Sequence, residues 1–215
     1  MIPKLENSIN LKAMSLSKEK YREIIEYLQK VKRIKKLPML VIIVGESGSG
    51  KSTFCKAMNC KNNWFVSSKL IVEELKIRKK SITHDNIHEL ANEMYSKNPM
   101  WQVSKILKAM EGKDFLFLDG PRRIKEVNAL IEKHPATLIV KIEANVKNRL
   151  EHLIHRDNIK RKTFQKIVKD EFYQTQLNSI FKKAFLTIEN NGTLFQIQKE
   201  AKEFKQFLLT IKGKL

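Results

Sequence analysis

One eight-residue stretch constrains this chain more than any other part of the sequence. It runs from Gly45 to Ser52, reads Gly-Glu-Ser-Gly-Ser-Gly-Lys-Ser, and fits the pattern G-x-x-x-x-G-K-[ST]. The apolar segment 39–44 precedes it and predicts a buried strand, and residues 53–58 predict the start of a helix. A glycine-rich loop between a strand and a helix is the context in which this P-loop pattern binds nucleotide phosphates.

The spacing of the loop follows from the chemistry of phosphate binding. Glycine allows backbone angles and close approaches that a Cβ would block, so the loop N–H groups can turn inward around an anion. The next helix points its N-terminus at the same anion. We predict that Lys51 reaches the β- and γ-phosphates and that the Ser52 hydroxyl holds Mg²⁺. The predicted nucleotide-binding residues are Gly45, Glu46, Ser47, Gly48, Ser49, Gly50, Lys51, Ser52 and Thr53.

Composition narrows the class of protein. A chain of 215 residues is long enough for one α/β domain with a sizeable core. Its net charge is +19, and the excess is spread over nearly every predicted helix rather than concentrated in blocks. This spread favours phosphate-rich ligands, although charge of this size also supports weak, salt-sensitive binding of nucleic acid.

Several features indicate a cytoplasmic protein without a membrane segment. The longest apolar run, residues 37–44, is too short to span a bilayer. The N-terminus has charges but no apolar segment of the kind found in signal peptides. The two cysteines, Cys55 and Cys60, are typical of packed thiols in a reducing compartment, and two cysteines alone make no zinc site. The oligomeric state is left open.

The order of predicted elements indicates a doubly wound parallel sheet, because strands alternate with helices. The predicted strands are 39–44, 64–66, 114–118, 137–142 and 185–188. Ser67 and Ser68 are expected to cap a helix that starts near Lys69, and one long helix is expected over 163–183. Residues 1–36 form a basic N-terminal extension whose helix runs from Ser15 or Ser17 to about Lys36 and packs an apolar stripe on the domain 37–215.

A second informative stretch ends the third predicted strand. Asp119 follows four apolar residues and would lie at the carboxyl edge of the sheet, where ligands collect. There it can hold Mg²⁺ through water or orient an acceptor. Arg122 and Arg123 come three and four residues later, and guanidinium groups bind phosphate bidentately. Either arginine is a candidate ligand for an acceptor that already carries phosphate.

The Gly-Glu-Ser-Gly-Ser-Gly-Lys-Ser-Thr and Phe-Leu-Asp-Gly-Pro-Arg-Arg stretches together resemble the nucleoside-monophosphate-kinase group of P-loop kinases. This group includes adenylate kinases, dephospho-CoA kinases and a set of archaeal kinase-like proteins, and the resemblance covers roughly residues 39–210. It implies a three-layer fold with a five-stranded parallel sheet in the order 2-3-1-4-5. It also implies a helical acceptor-binding insert at 67–110 and a short lid at 156–170.

The same resemblance implies further site residues. Arg156 and Arg161 are the lid arginines that would neutralise charge on the transferred phosphoryl group, and Arg149 is a weaker candidate. Asn191 and Gly192 resemble a loop near the donor adenine, and the implied cofactors are ATP and Mg²⁺. Residues 67–69, Ser-Ser-Lys, lack the glycine and carboxylate common in the acceptor segment of the family. The identity of the acceptor therefore stays open.

The sequence thus predicts an ATP- and Mg²⁺-dependent kinase that transfers the γ-phosphoryl group to a small phosphorylated, nucleotide-like acceptor. Three other acceptors remain open within the kinases: dephospho-CoA, a sugar acid and a nucleic-acid 5′ end. An alternative of another class is a nucleic-acid-associated P-loop ATPase that uses the basic N-terminal helix. The arginine pair favours a phosphorylated acceptor over a neutral sugar.

Overall fold

A computed structural model describes residues 18–30, 38–59, 61–174 and 176–214. The strands are β1 (Met39–Val44), β2 (Trp64–Val66), β3 (Phe115–Asp119), β4 (Thr137–Glu143) and β5 (Leu186–Glu189). The helices in the same ranges are α1 (Lys18–Lys30), α2 (Lys51–Ala57), α3 (Ser67–Ile77), α4 (His84–Lys97), α5 (Val103–Met110), α6 (Ile124–Lys133), α7 (Val146–Asp157), α8 (Arg161–Gln174), α9 (Leu177–Phe181) and α10 (Leu194–Lys214). None of these helices is both long and apolar enough to cross a bilayer.

The five strands form one parallel sheet in the order β2-β3-β1-β4-β5, which confirms the predicted order. β1 lies at the centre and is fully buried along its length, as its continuous apolar sequence predicts. Asp119 is in register with Ile43 on one side and with Val66 on the other. The carboxyl ends of β1, β2 and β3 therefore meet at one edge of the sheet.

Apolar side chains fill both faces of this sheet and give the three-layer architecture. Alternate residues of β1 point to opposite faces, so Val41 and Ile43 belong to one cluster and Leu40 and Ile42 to the other. Side chains of α1, α2 and α10 pack on the first face. Side chains of α5, α6 and α9 pack on the second. The carboxyl edge of the sheet therefore lies between two layers of helices.

The apolar stripe of α1 packs on the main domain. Ile24, Ile25 and Leu28 are at most 1% exposed and belong to the cluster of β1, α2 and α10. The Tyr27 hydroxyl also donates a 2.8 Å hydrogen bond to the carbonyl of Pro135. Both predicted ends of this helix, at residues 15–17 and near 36, lie outside the described residues.

Helices α3, α4 and α5 form the predicted helical insert between β2 and β3. Ile71, Leu75 and Leu90 give α3 and α4 a small apolar core of their own. The predicted capping by Ser67 and Ser68 is wrong, because β2 continues directly into α3 and Ser67 is already helical. Thr83 does cap α4, since its hydroxyl accepts a hydrogen bond from the Asn86 N–H.

The predicted lid segment, 156–170, consists of the end of α7, a three-residue connection and most of α8. The two helices pack on each other through Leu153, Phe164 and Ile167. The single helix expected over 163–183 is wrong, because α8 and α9 are separate helices. Gln176 stands at the start of α9 and ties it to the segment after β3. Its N–H donates to the carbonyl of Arg122 and its side chain accepts from the Ile124 N–H.

Candidate active site

The loop after β1 combines left-handed glycines with close contacts from neighbouring segments. Gly48 and Gly50 have φ angles of 80° and 100°, in the left-handed region that favours glycine. A Cβ on Gly48 would lie 2.5 Å from the carbonyl oxygen of Arg149, and one on Gly50 would lie 2.2 Å from the side-chain nitrogen of Asn190. The glycines are therefore required by the close approach of α7 and of the loop after β5.

Asn190 is a support that the sequence reasoning missed. Its side-chain N–H donates to the carbonyl of Ser49 at 3.0 Å, and the residue is buried. The side-chain oxygen of the neighbouring Asn191, predicted near the donor base, accepts a 2.8 Å hydrogen bond from the Asn145 N–H at the start of α7. Gly192 lines the cleft beside the loop. The Asn-Asn-Gly run after β5 was a signal of a turn, but its contact with the loop depends on the fold.

Lys51 lies at the mouth of the loop and folds back onto it. Its Nζ donates to the carbonyls of Gly45 at 2.7 Å and Glu46 at 2.8 Å. Burial, together with the positive charge of Arg122, lowers the pKa of Lys51 to about 8. The ammonium is thus held against the loop backbone, where burial and a second positive charge favour an added negative charge.

Ser52 and Asp119, the two predicted metal residues, are brought together at the sheet edge. The Ser52 hydroxyl donates to Asp119 Oδ2 at 3.4 Å, and Asp119 is only 4% exposed. Burial raises the pKa of Asp119, and the charge of Lys51 opposes that rise. A hydroxyl and a carboxylate beside a phosphate-binding loop are oxygen ligands that suit Mg²⁺. The residues present therefore fit the metal that the sequence implies.

Glu171 of α8 joins the loop to two arginines. Its Oε1 accepts hydrogen bonds from the N–H and the hydroxyl of Ser47, both at 2.7 Å, and from Arg122 Nη1 at 2.8 Å. Its Oε2 accepts from Arg149 Nη2 at 2.8 Å. Burial alone would raise the pKa of Glu171, but the charge of Arg122 and the Ser47 hydrogen bond hold it below its ordinary value.

Arg149 is buried beneath the loop rather than exposed in a lid. The residue is 1% exposed, and its Nη1 lies 2.7 Å from Glu46 Oε1. Its Nε donates to the carbonyl of Ser47 at 2.9 Å. His152, one turn further along α7, hydrogen-bonds through Nδ1 to the carbonyl of Gly48 at 2.7 Å. One face of α7 therefore supports the P-loop directly, and no sequence motif marks these contacts.

The adjacent arginines after β3 point in different directions. Arg122 lies against the loop, with Nη2 at 3.3 Å from the Ser47 hydroxyl. The guanidinium of Arg123 lies 5.3 Å from the ring centre of Tyr95 and hydrogen-bonds to the side chain of Asn92. Arg123 has an extended backbone, with φ −116° and ψ 122°, and successive side chains of extended chain point to opposite sides.

A cavity lies between the insert and the segment after β3. Its walls combine apolar, aromatic and polar side chains: Ser67, Ser68, Ile71, Ile87, His88, Ala91, Asn92, Tyr95, Gln102, Arg122 and Arg123. The side-chain oxygens of Ser67 and Gln102 are buried and have no hydrogen-bond partner within the described ranges. Buried oxygens without partners are rare, so they indicate hydrogen-bonding positions for a ligand.

The two predicted lid arginines, Arg156 and Arg161, lie in different surroundings. Arg156 pairs with its neighbour Asp157, with Nη2 at 2.6 Å from Oδ2, and lines the cleft beside the P-loop. Arg161 is exposed at the first residue of α8 and is not among the described residues that line this cleft. The rest of the cleft wall comes from the loop, α2, α7 and the start of α10: Gly48, Gly50, Lys51, Ser52, Thr53, Lys56, His152, His155, Asn190, Gly192, Leu194 and Ile197.

Comparisons with known proteins agree with this geometry at the level of the fold. No family model matches the sequence, and the search of curated proteins found no match. Among solved structures, a gluconokinase from Sinorhizobium meliloti 1021 aligns with a TM-score of 0.52 at 14% identity, over 83% of this chain and 95% of that one. A shikimate kinase from Acinetobacter baumannii aligns with a TM-score of 0.49 at 16% identity, over 83% and 94% of the two chains. A dephospho-CoA kinase from Campylobacter jejuni aligns with a TM-score of 0.44 at 16% identity, over 79% and 96%.

Sequence identity at this level establishes architecture rather than activity. The gluconokinase alignment covers most of this chain and nearly all of that one. The two proteins therefore share a fold, which in this chain is a three-layer arrangement around a parallel sheet in the order 2-3-1-4-5.

Proposed function

We propose that this protein is an ATP- and Mg²⁺-dependent kinase that phosphorylates a small acceptor carrying an anionic group. One observation carries the proposal: two separate cavities lie along the same carboxyl edge of the sheet. One is lined by Lys51, Ser52 and other residues of the P-loop, and the other by Arg122, Arg123 and the helical insert. A phosphoryl transfer enzyme needs a donor site and an acceptor site that meet at the transferred group.

The donor would bind in the cleft beside the P-loop. The loop N–H groups and Lys51 would then stabilise the negative charge that spreads over the transferred group. Mg²⁺ bound with ATP would neutralise part of that charge, and Ser52 and Asp119, which are hydrogen-bonded to each other, would hold it. Arg156 lies in the same cleft and would add a positive charge on the donor side.

The acceptor would bind in the cavity of the insert. Its apolar and aromatic wall, which includes Ile71, Ile87 and Tyr95, suits a ring better than a linear polyol. Arg123 and the buried oxygens of Ser67 and Gln102 supply a charge and hydrogen-bonding positions. A nucleotide-like acceptor fits this combination, because its ring would lie on the apolar wall and its phosphate would meet the positive charge. The competing acceptor is a sugar acid, the class on which a gluconokinase acts.

The test is ADP release from Mg·ATP with a panel of acceptors. The panel holds nucleoside monophosphates, dephospho-CoA, gluconate, and single-stranded RNA and DNA. We expect one small acceptor to stimulate turnover, and Lys51→Ala to abolish the response. Arg78→Ala, which breaks an exposed ion pair in the insert, is the matched control and should not change it. Stimulation by nucleic acid alone would contradict the proposal and favour a nucleic-acid-associated ATPase.

Cytoplasmic location and weak nucleic-acid binding remain predictions from the sequence.

A further inference from the structure

Glu171 collects hydrogen bonds from three separate segments of the chain. Ser47 comes from the P-loop, Arg122 from the turn after β3, and Arg149 from α7. The carboxylate receives four donors at 2.7–2.8 Å and is 5% exposed. A buried carboxylate with this many donors is held firmly, because removing any partner leaves a charge without compensation.

The cluster controls the shape of the P-loop at Ser47. Glu171 accepts hydrogen bonds from the N–H and the hydroxyl of this residue, while Arg149 donates one to its carbonyl. All three polar groups of Ser47 are thus held by side chains of α7 and α8. The orientation of the loop N–H groups that would meet a phosphate therefore depends on a residue more than 120 positions later in the chain.

The cluster also fixes the direction of Arg122. This arginine is paired with Glu171, and its Nη2 lies 3.3 Å from the Ser47 hydroxyl of the loop. Arg123, the next residue, lies instead against Tyr95 and Asn92 of the insert.

We propose that Glu171 is a positioning residue that shapes the P-loop through Ser47 and commits Arg122 to that loop. The expected effect on turnover rests on the proposed function, whereas the effect on nucleotide binding can be tested without knowledge of the acceptor.

The experiment compares Glu171→Gln, Arg122→Ala and Arg123→Ala by direct binding of Mg·ATP and by steady-state kinetics with the acceptor found in the panel. We expect Arg122→Ala to weaken Mg·ATP binding about 10-fold and to lower kcat, with an unchanged KM for the acceptor. Glu171→Gln should lower kcat on the order of 100-fold, again without a change in that KM, because the loop N–H groups lose their alignment. Arg123→Ala, which removes the neighbouring arginine that lies at the insert, should leave Mg·ATP binding unchanged.

A double variant tests whether Glu171 and Arg122 act as one unit. The combined Glu171→Gln and Arg122→Ala change should cost little more in kcat than Glu171→Gln alone. Control variants are Arg78→Ala and Glu93→Gln, which break an exposed arginine–glutamate pair of the insert. If Glu171→Gln does not fold, Arg122→Ala still tests the proposal, because Glu171 keeps its bonds to Ser47 and Arg149.

Two results would overturn the inference. Arg122→Ala would raise the acceptor KM and leave Mg·ATP binding unchanged if Arg122 bound the acceptor rather than supported the loop. Glu171→Gln would bind Mg·ATP more tightly, with an undiminished kcat, if the carboxylate merely competed with phosphate for the loop. Should no member of the acceptor panel respond, the proposed function fails, whereas the Mg·ATP binding of Arg122→Ala and Glu171→Gln still decides the role of Glu171 at the loop.

Discussion

Neighbouring residues of the same type acquire different surroundings in this fold. Arg122 lies in a cluster of charges at the P-loop, and Arg123 lies on an aromatic ring at the insert. The same contrast separates Asn190, which supports the loop, from Asn191, which holds α7. In both pairs the residue type indicates which interactions the side chain can form. The direction of the side chain decides which partners it contacts.

At the scale of one residue, the lowered pKa of Lys51 predicts that Mg·ATP binding is accompanied by proton uptake. Its pKa of about 8 means that much of the ammonium is deprotonated at pH 8.5, although a bound phosphate would favour the charged form. Mg·ATP binding at pH 8.5 should therefore take up roughly three-quarters of a proton. Calorimetry in two buffers of different ionisation enthalpy measures this uptake. The same titration at pH 7, where Lys51 is already charged, should show little uptake, and equal uptake at both pH values would contradict the assignment.

At the scale of elements, a buried carboxyl joins the insert to α6. The Tyr95 hydroxyl of α4 donates to Glu126 Oε2 at 2.8 Å, and Glu126 is fully buried. Burial raises the pKa of Glu126 from 4.5 to about 7. The folded protein therefore keeps a proton that the unfolded chain releases near pH 4.5. Stability from this group is present below that pH and is lost as the pH rises toward 7.

Glu126→Gln keeps the contact with Tyr95 and removes this titration. We expect the variant to match the parent protein near pH 4.5 and to be more stable at pH 8 by roughly 3 kcal/mol, the free energy that corresponds to the pKa shift. Urea unfolding at the two pH values measures the difference. Glu132→Gln, an exposed glutamate of the same helix, is the control. A gain in stability that is equal at both pH values would show that packing, not charge, is responsible.

Helix α1 behaves as part of the core rather than as a separate arm. Leu28 is fully buried against the sheet layer, so Leu28→Ala should lower the free energy of unfolding by about 2–5 kcal/mol. Thermal and urea unfolding would measure this loss. The exposed Glu23→Ala on the same helix is the control and should change stability far less. A negligible loss for Leu28→Ala would mean that α1 does not pack as described.

This packing also changes how a nucleic-acid role should be tested. Deletion of residues 1–36 would remove Ile24, Ile25 and Leu28 from the core as well as the basic charges. A loss of binding after that deletion would therefore not distinguish unfolding from lost contacts. Variation of salt with the intact chain avoids this ambiguity.

For the molecule as a whole, the net charge of +19 predicts binding that depends strongly on salt. Binding of a short single-stranded RNA, measured by fluorescence anisotropy, should weaken at least about 10-fold between about 50 and about 200 mM salt, because phosphate contacts release counterions. ATP turnover should not respond to the RNA. Binding that withstands salt, or turnover stimulated by RNA, would favour the nucleic-acid-associated ATPase.

The sequence by itself determined the strands and the residues of the P-loop. Continuous apolar runs mark β1 and β3, because both faces of a central parallel strand are buried. The glycines and Lys51 mark the loop, because its backbone geometry depends on residues that are adjacent in the chain. The strand order came from the resemblance to known kinases, and the structure confirms it. Local patterns were wrong where contacts with distant segments intervene, as at the break between α8 and α9, where Gln176 bonds to the turn after β3.

Only the tertiary structure decided which side chains surround the loop. Glu171 and Ser47 are 124 residues apart, and no periodicity or motif relates them. Their contact exists because α7 and α8 pack as a pair and bring Arg149 and Glu171 beneath the P-loop. Apolar periodicity shows that a helix has a buried face, but it does not show which distant segment that face or its polar border will meet. The partners of Ser47, Arg122 and Arg123 follow from that packing.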